Sequence, residues 1–399
     1  MLDSTLETGR SQWVDATPGR SLFAGVAKGK NRLGDRTVRI LKEAIVRIFQ
    51  GALPFALLLS FVAGAAAQQQ PRNKDSGLPW AYGFATPVPV PAPPPGAPAA
   101  APEEAAPLMH LPGATAAFTT KQIDNNFGPA DWFPDLHPAM PAIVAEGRKP
   151  DVRACGFCHY PNGKGRPNNA GIAGLPAAYI VQQLQNFSNG DRRSWDPRKG
   201  NTNLMIAIAK TMTVEEMKTA AAYFSSMKWT SWIRVVETDM VPKTHFVGGG
   251  GGLCLPLEGP DAGTEPIGRR VVEVPENVEA TDLRDPRSGF IAYVPPGSIK
   301  RGEFLATTGG GKTFGCANCH GEGLAGDGKF SVPSIAGRSP SYMAQQLYDI
   351  QKGARTDYSR MMKETVANLS EDDILDIVAY VASLPPQPKS PAATPTGSK

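Results

Sequence analysis

The sequence predicts a mainly α protein: two tandem, homologous helical domains joined by a long irregular connector that carries a few short strands. Three observations predict it. An internal repeat returns the same landmarks in the same order: CGFCH at 155–159 as CANCH at 316–320, IAGLPAAYIVQQL at 172–184 as IAGRSPSYMAQQL at 335–347, and MIAIAKTMTVEE at 205–216 as MKETVANLSEDD at 362–373. The offsets are 161, 163 and 157, the near-constant spacing that a duplication with small insertions leaves behind. Within each repeat apolar residues recur three and four apart, as on the buried face of a helix, whereas the stretch between the repeats is rich in Gly and Pro.

The elements follow in order. With 399 residues and 41% hydrophobic content the chain has room for two or three cores. Residues 1–67 form an N-terminal extension and signal peptide: the apolar run Ala52–Gly64 is preceded by Arg39, Lys42 and Arg47 and ends in Ala65-Ala66-Ala67, after which cleavage is expected. The run is short for a bilayer span and holds Pro54; an uncleaved segment tethering the protein to a membrane is the alternative. Residues 68–118 read as a Pro/Ala-rich linker, extended from Ala85 to Ala117. The first domain is expected over 119–228 and the second over 298–386, with helices at Tyr179–Phe187, Met217–Met227, Tyr342–Ile350 and Ile374–Leu384. Thr213 with Glu216 and Ser370 with Asp373 have the spacing of reciprocal helix caps, and Pro385-Pro386 stops the last helix. In the connector, 229–297, the segments WIRVVE, RRVVEV and FIAYV read as strands too few to form a core alone, so they are expected to pack on the helical domains. Residues 387–399 read as a disordered tail.

Charge excludes one class of partner. The net charge of +4 resides in the leader: residues 1–67 hold nine of 41 Lys/Arg and five of 37 Asp/Glu, leaving 32 of each. A neutral body with no basic run interleaved with aromatics lacks the footprint of a nucleic-acid binder.

The chemistry lies in the repeated C-x-x-C-H. Two thiols one helical turn apart reach the two vinyl groups of one porphyrin, and the adjacent His meets the iron. Cys155, Cys158 and His159 would then hold one covalently bound haem c, and Cys316, Cys319 and His320 a second. A four-Cys zinc cage is the rival, disfavoured because each pair is followed at once by His in an exported chain. A thioether before the last helix of each repeat would supply the sixth ligand, and repeat register selects Met205 and Met362; Met361 and Met212 align with Leu204 and Leu369, which cannot bind iron. A proximal His needs its second ring nitrogen tied to an acceptor; in the class I cytochromes c, which these motifs resemble, a Pro carbonyl does this, which implies that role for Pro333 and, at the aligned position of the first repeat, for the Ala170 carbonyl. Tyr179 and Tyr342 read equally well as packing aromatics or as partners of the haem carboxylates. His110, His137 and His245 read as solvent-exposed filler, and Cys254 as an inert leftover thiol.

On these motifs the chain resembles the tandem dihaem class I cytochromes c, particularly the c-four type, over about 119–228 and 298–386. The resemblance implies two tandem class I cytochrome c domains facing each other, each iron between His and Met with no open position. It implies a non-enzymatic, one-electron carrier in the periplasm between a quinol-oxidising complex or dehydrogenase and a terminal oxidase. A cytochrome subunit of a periplasmic alcohol or sulfur-compound dehydrogenase is the alternative, its connector serving as the subunit-binding element. The first domain, with 13 Lys/Arg against nine Asp/Glu, is expected to dock an acidic partner.

Overall fold

The computed structural model describes residues 77–83, 106–248, 252–356 and 360–386, all within one compact unit, Pro71–Lys399. The signal peptide, its cleavage point, linker residues 84–105 and the tail 387–399 lie outside the described residues.

A short helix α1 (Pro79–Tyr82) begins the described chain, and strands β1 (Leu108–Met109) and β2 (Phe118–Thr119) pair antiparallel before helix α2 (Thr120–Ile123). Both pieces belong to the stretch read as linker, and both are packed. Leu78, Ala81 and Tyr82 are buried in the core of the second repeat, and Leu111 joins Ile123, Ala130 and Trp132 in a small cluster. Scattered apolar residues in a Pro-rich stretch show no period, so their burial was not visible from pattern.

The first repeat contributes α3 (Ala142–Ala145), α4 (Cys155–His159), α5 (Ala177–Asn189), α6 (Gly200–Thr211) and α7 (Val214–Ser226). Ile180 and Phe187 face inward from α5, which stops at Gly190 in the left-handed region. Helix α7 starts at the expected cap: the Thr213 hydroxyl accepts from the Glu216 N–H and the Glu216 carboxylate accepts from the Thr213 N–H. Its buried face, Met217, Ala220, Ala221 and Phe224, closes the core on Val144, Val152 and Leu175.

Between the repeats, β3 (Ile233–Glu237) starts the connector, followed by β4 (Met240–Pro242), β5 (Thr244–Val247), β6 (Leu253–Pro256), β7 (Thr264–Pro266), β8 (Val272–Pro275), helix α8 (Val278–Asp282) and β9 (Phe290–Val294). The three expected segments form one sheet in the order β3-β9-β8, with β3 parallel and β8 antiparallel to β9, and β4/β7 and β5/β6 make two further antiparallel pairs. The sheet leans on both repeats. Trp232 and Phe290 enter the first core, while Val271, Ala292 and Val294 pack on Leu375 and Ala379 of the last helix.

The second repeat contributes α9 (Ser298–Thr308), α10 (Ala317–His320), α11 (Pro340–Gln351), α12 (Arg360–Val366) and α13 (Glu371–Ser383). The Ser370–Asp373 cap forms as expected, and α13 ends at Ser383 ahead of the two prolines. Helix α9 crosses α13 so closely that a Cβ on Gly302 would run into the Asp376 carbonyl. Ile374, Ile377, Val378 and Val381 bury against Leu305, Met343 and Ala344.

Candidate functional site: two haem attachment helices and the face between them

Each C-x-x-C-H folds as one short helical turn, which sets the two sulfurs on one side of the backbone with the His immediately beyond. His159 Nδ1 lies 2.8 Å from the Ala170 carbonyl and His320 Nδ1 lies 2.9 Å from the Pro333 carbonyl. A carbonyl can only accept, so each ring carries its proton on Nδ1 and leaves Nε2 as the lone-pair nitrogen. Burial lowers the proton affinity of both imidazoles, which favours the neutral form that ligates a metal. It also pushes the Cys155 thiol up to about 12 and the Cys316 thiol up to about 11. Around Cys158, burial raises the thiol while the guanidiniums of Arg284, Arg153 and Arg166 act in the opposite sense. No disulfide joins any two of the five cysteines, and Cys254 is half-buried.

The methionines differ between repeats. Met362 packs into the second core together with Cys316, and its neighbour Met361 is 69% exposed. In the first repeat Leu204 packs into the core and Met205, one residue on, is half-buried beside it on α6.

The repeats face each other across an approximate two-fold axis written in their shared register. Arg193 N–H donates to the Ala354 carbonyl at 3.0 Å, and Thr356 N–H donates to the Asp191 carbonyl at 2.8 Å. Arg192 donates to the Tyr342 hydroxyl (2.7 Å), Gln346 Oε1 (2.8 Å) and Gln183 Oε1 (2.7 Å). Its counterpart Arg355 donates to the Tyr179 hydroxyl (3.2 Å), Gln183 Oε1 (2.7 Å) and Gln346 Oε1 (3.2 Å). Arg192 and Arg355, Gln183 and Gln346, Tyr179 and Tyr342 all stand 163 residues apart. Two buried guanidiniums held by neutral oxygens at one face are the donor set that carboxylates seek. Tyr179 and Tyr342 are therefore polar partners across the interface, and Arg192 and Arg355 are members of the site that motif reading did not single out. Their constant offset was the available signal.

His110 and His245 are exposed, but His137 is not filler. Its side chain is 4% exposed, with Nε2 3.1 Å from Asp131, and its Nδ1 lies 3.1 Å from the Tyr223 hydroxyl; the Asp131 carboxylate raises its proton affinity. Tyr223 comes from α7, 86 residues away, a contact no local pattern announces.

The residues present fit a covalently held porphyrin in each repeat: two thiols and a His on one turn, and the imidazole fixed by a carbonyl. When bound, such a group accepts and releases one electron at its iron. The protein's part is to hold the imidazole neutral and oriented, exclude water with the cores around it, and bring the repeats face to face. Fold and site together define a cytochrome c, a non-enzymatic electron-transfer protein with covalently bound haem c.

Sequence comparison with known proteins agrees. The Cytochrome c family model matches residues 300–385. Cytochrome c4 of Azotobacter vinelandii is 25% identical over 252 residues, covering 62% of this chain and 91% of that protein. The thiosulfate dehydrogenase electron acceptor of Stutzerimonas stutzeri is 31% identical over 258 residues, covering 62% of this chain and 89% of that protein. Reduced recombinant cytochrome c4 from Pseudomonas stutzeri aligns in structure at 22% identity over 58% of this chain and 93% of its own, with a TM-score of 0.38. The chain belongs to the tandem dihaem class I cytochrome c family, of the cytochrome c4 type.

Proposed function

We propose that this protein is an exported, periplasmic dihaem carrier that relays single electrons from a quinol-oxidising complex or dehydrogenase toward a terminal oxidase. Cys155 and Cys158 would hold one haem with His159 and Met205 as ligands to its iron, and Cys316 and Cys319 the other with His320 and Met362. The single observation that carries this reading is the pair of His rings, each with Nδ1 committed to a backbone carbonyl and Nε2 free. With an imidazole and a thioether both bound to each iron, no coordination position would stay open for substrate or oxygen, which would leave one-electron exchange. Export is read from the leader sequence; among the described residues no helix is long and apolar enough to cross a membrane.

A redox titration of the native protein, followed by visible and near-infrared spectroscopy, tests the reading. Two low-spin haems, each with a methionine-to-iron band, are expected. A high-spin haem at rest would overturn it in favour of an enzyme with a weakly ligated iron. A relative named as a thiosulfate dehydrogenase electron acceptor favours a second reading, in which the donor is a sulfur-compound dehydrogenase. Co-purification of such an enzyme, or its rapid oxidation by the ferric protein, would select that reading.

A further inference from the structure

Beside the first attachment helix is a recess of about 560 Å³ that nothing in the carrier reading uses. The connector helix α8 and the residues after it make one wall and the chain around α2 the other; Arg153, Arg166 and Arg284 line it. Arg166 and Arg284 are 7% and 6% exposed. Arg166 donates to the Tyr160 hydroxyl and the Thr281 carbonyl, both neutral. Arg284 donates to the Phe157 carbonyl and, at 3.1 Å, to Asp124, whose side chain is 60% exposed. The nearest buried acid in sequence, Asp285, is already paired with Arg287. Arg153 makes no hydrogen bond or ion pair within the described residues. The two carboxylates in the lining, Asp124 and Asp282, are exposed and screened by water, whereas two guanidiniums sit buried where the local dielectric is low. Arg284 also takes a left-handed backbone, φ 58°, one residue past the C-cap of α8, where glycine is the unstrained choice. That conformation sets its guanidinium 3.9 Å over the Phe157 ring.

This charge is not a requirement of haem attachment. The attachment motif repeats at offset 161, which places Phe314 opposite Arg153 and Asn318 opposite Phe157 in the second repeat. A feature serving the haem itself would recur there.

We propose that the recess binds a small multivalent oxyanion, inorganic or organic, against Arg153, Arg166 and Arg284. Such an anion offers several charged acceptors to guanidiniums whose remaining N–H groups have none. Its negative charge beside Cys158 favours the ferric state of the first haem only.

Isothermal titration of the holoprotein in chloride buffer, with sulfate and separately with citrate, tests this. Saturable one-to-one binding of either is expected: sulfate alone identifies an inorganic ligand, citrate alone an organic one. Arg153→Gln, at a half-exposed residue with no partner, should weaken binding by roughly tenfold while leaving the fold intact, and Arg284→Gln should weaken it at least as much. Binding should move one of the two midpoint potentials negative and leave the other in place. Absence of saturable binding by both anions, binding indifferent to Arg153→Gln, or binding that moves neither potential would overturn the proposal. The calorimetric result stands apart from the axial-ligand assignment, which the near-infrared bands test separately.

Discussion

At the scale of single residues, the two sixth-ligand assignments rest on unequal ground. Met362 packs into its core with Met361 turned to solvent, so the helix itself distinguishes them. Met362→Leu should abolish one of two near-infrared methionine bands, lower one midpoint potential and create a high-spin fraction, while Met361→Leu should leave all three unchanged. If Met361→Leu produces the loss instead, the repeat register has been misread by one. Met205→Leu tests the first repeat independently, because there it is Leu204 that packs in the core. The C-x-x-C-H turns were legible in the sequence because the motif fixes the spacing of its thiols and imidazole, and the Pro333 and Ala170 carbonyls, 13 and 11 residues from their His, because the repeat aligns them. Arg192, Arg355 and His137 were not, since each acquires its role only when segments 86 to 176 residues apart come together.

At the scale of elements, reading succeeded where local physics decides and failed where contact does. Both reciprocal caps are present because a Thr or Ser hydroxyl and an acidic residue three positions on can satisfy two otherwise unpaired N–H groups with no help from the rest of the fold. Ser370→Ala should cost about 1 kcal/mol, measured as a lowered urea midpoint of the second domain; no change would mean that packing alone holds the start of α13. The three connector strands were legible from their β-branched runs, but the parallel pairing of β3 with β9 was not, since those strands are joined through more than fifty residues. The approach of α9 to α13 was hidden too, for Gly302 is one of 42 glycines. Gly302→Val must force the helices apart, and by the usual penalty for overpacking should destabilise the second domain by roughly 1–3 kcal/mol or more. Gly190→Ala, at a helix end with open space around it, should cost clearly less.

At the scale of the whole molecule, the connector is a clamp. Its sheet closes the first core with Trp232 and Phe290, packs on α13 of the second repeat, and sends one buried acid across. Glu273, from β8, accepts from the Ser339 hydroxyl at 2.9 Å, the Ser341 N–H at 3.0 Å and the Ser341 hydroxyl, while its Oε1 has no partner. Desolvation pushes its carboxyl from 4.5 up to about 7, against the opposing effect of those hydrogen bonds. A carboxyl with a raised folded pKa keeps its proton when the unfolded chain has lost it. Folding then takes up a proton between about pH 4.5 and 7, so stability falls as pH rises through that window and levels off above it. The full span corresponds to roughly 3 kcal/mol, an upper figure because the buried site can relax on ionising. Glu273→Gln keeps an oxygen for the serines and cannot ionise. Its urea midpoint, followed by tryptophan fluorescence, should therefore gain on the wild type from pH 5 to about pH 7 and hold that gain above it. Groups that titrate alike in both proteins cancel in that difference, so a gap that does not change with pH would show that Glu273 stays ionised in the fold and that the clamp is not set by its proton.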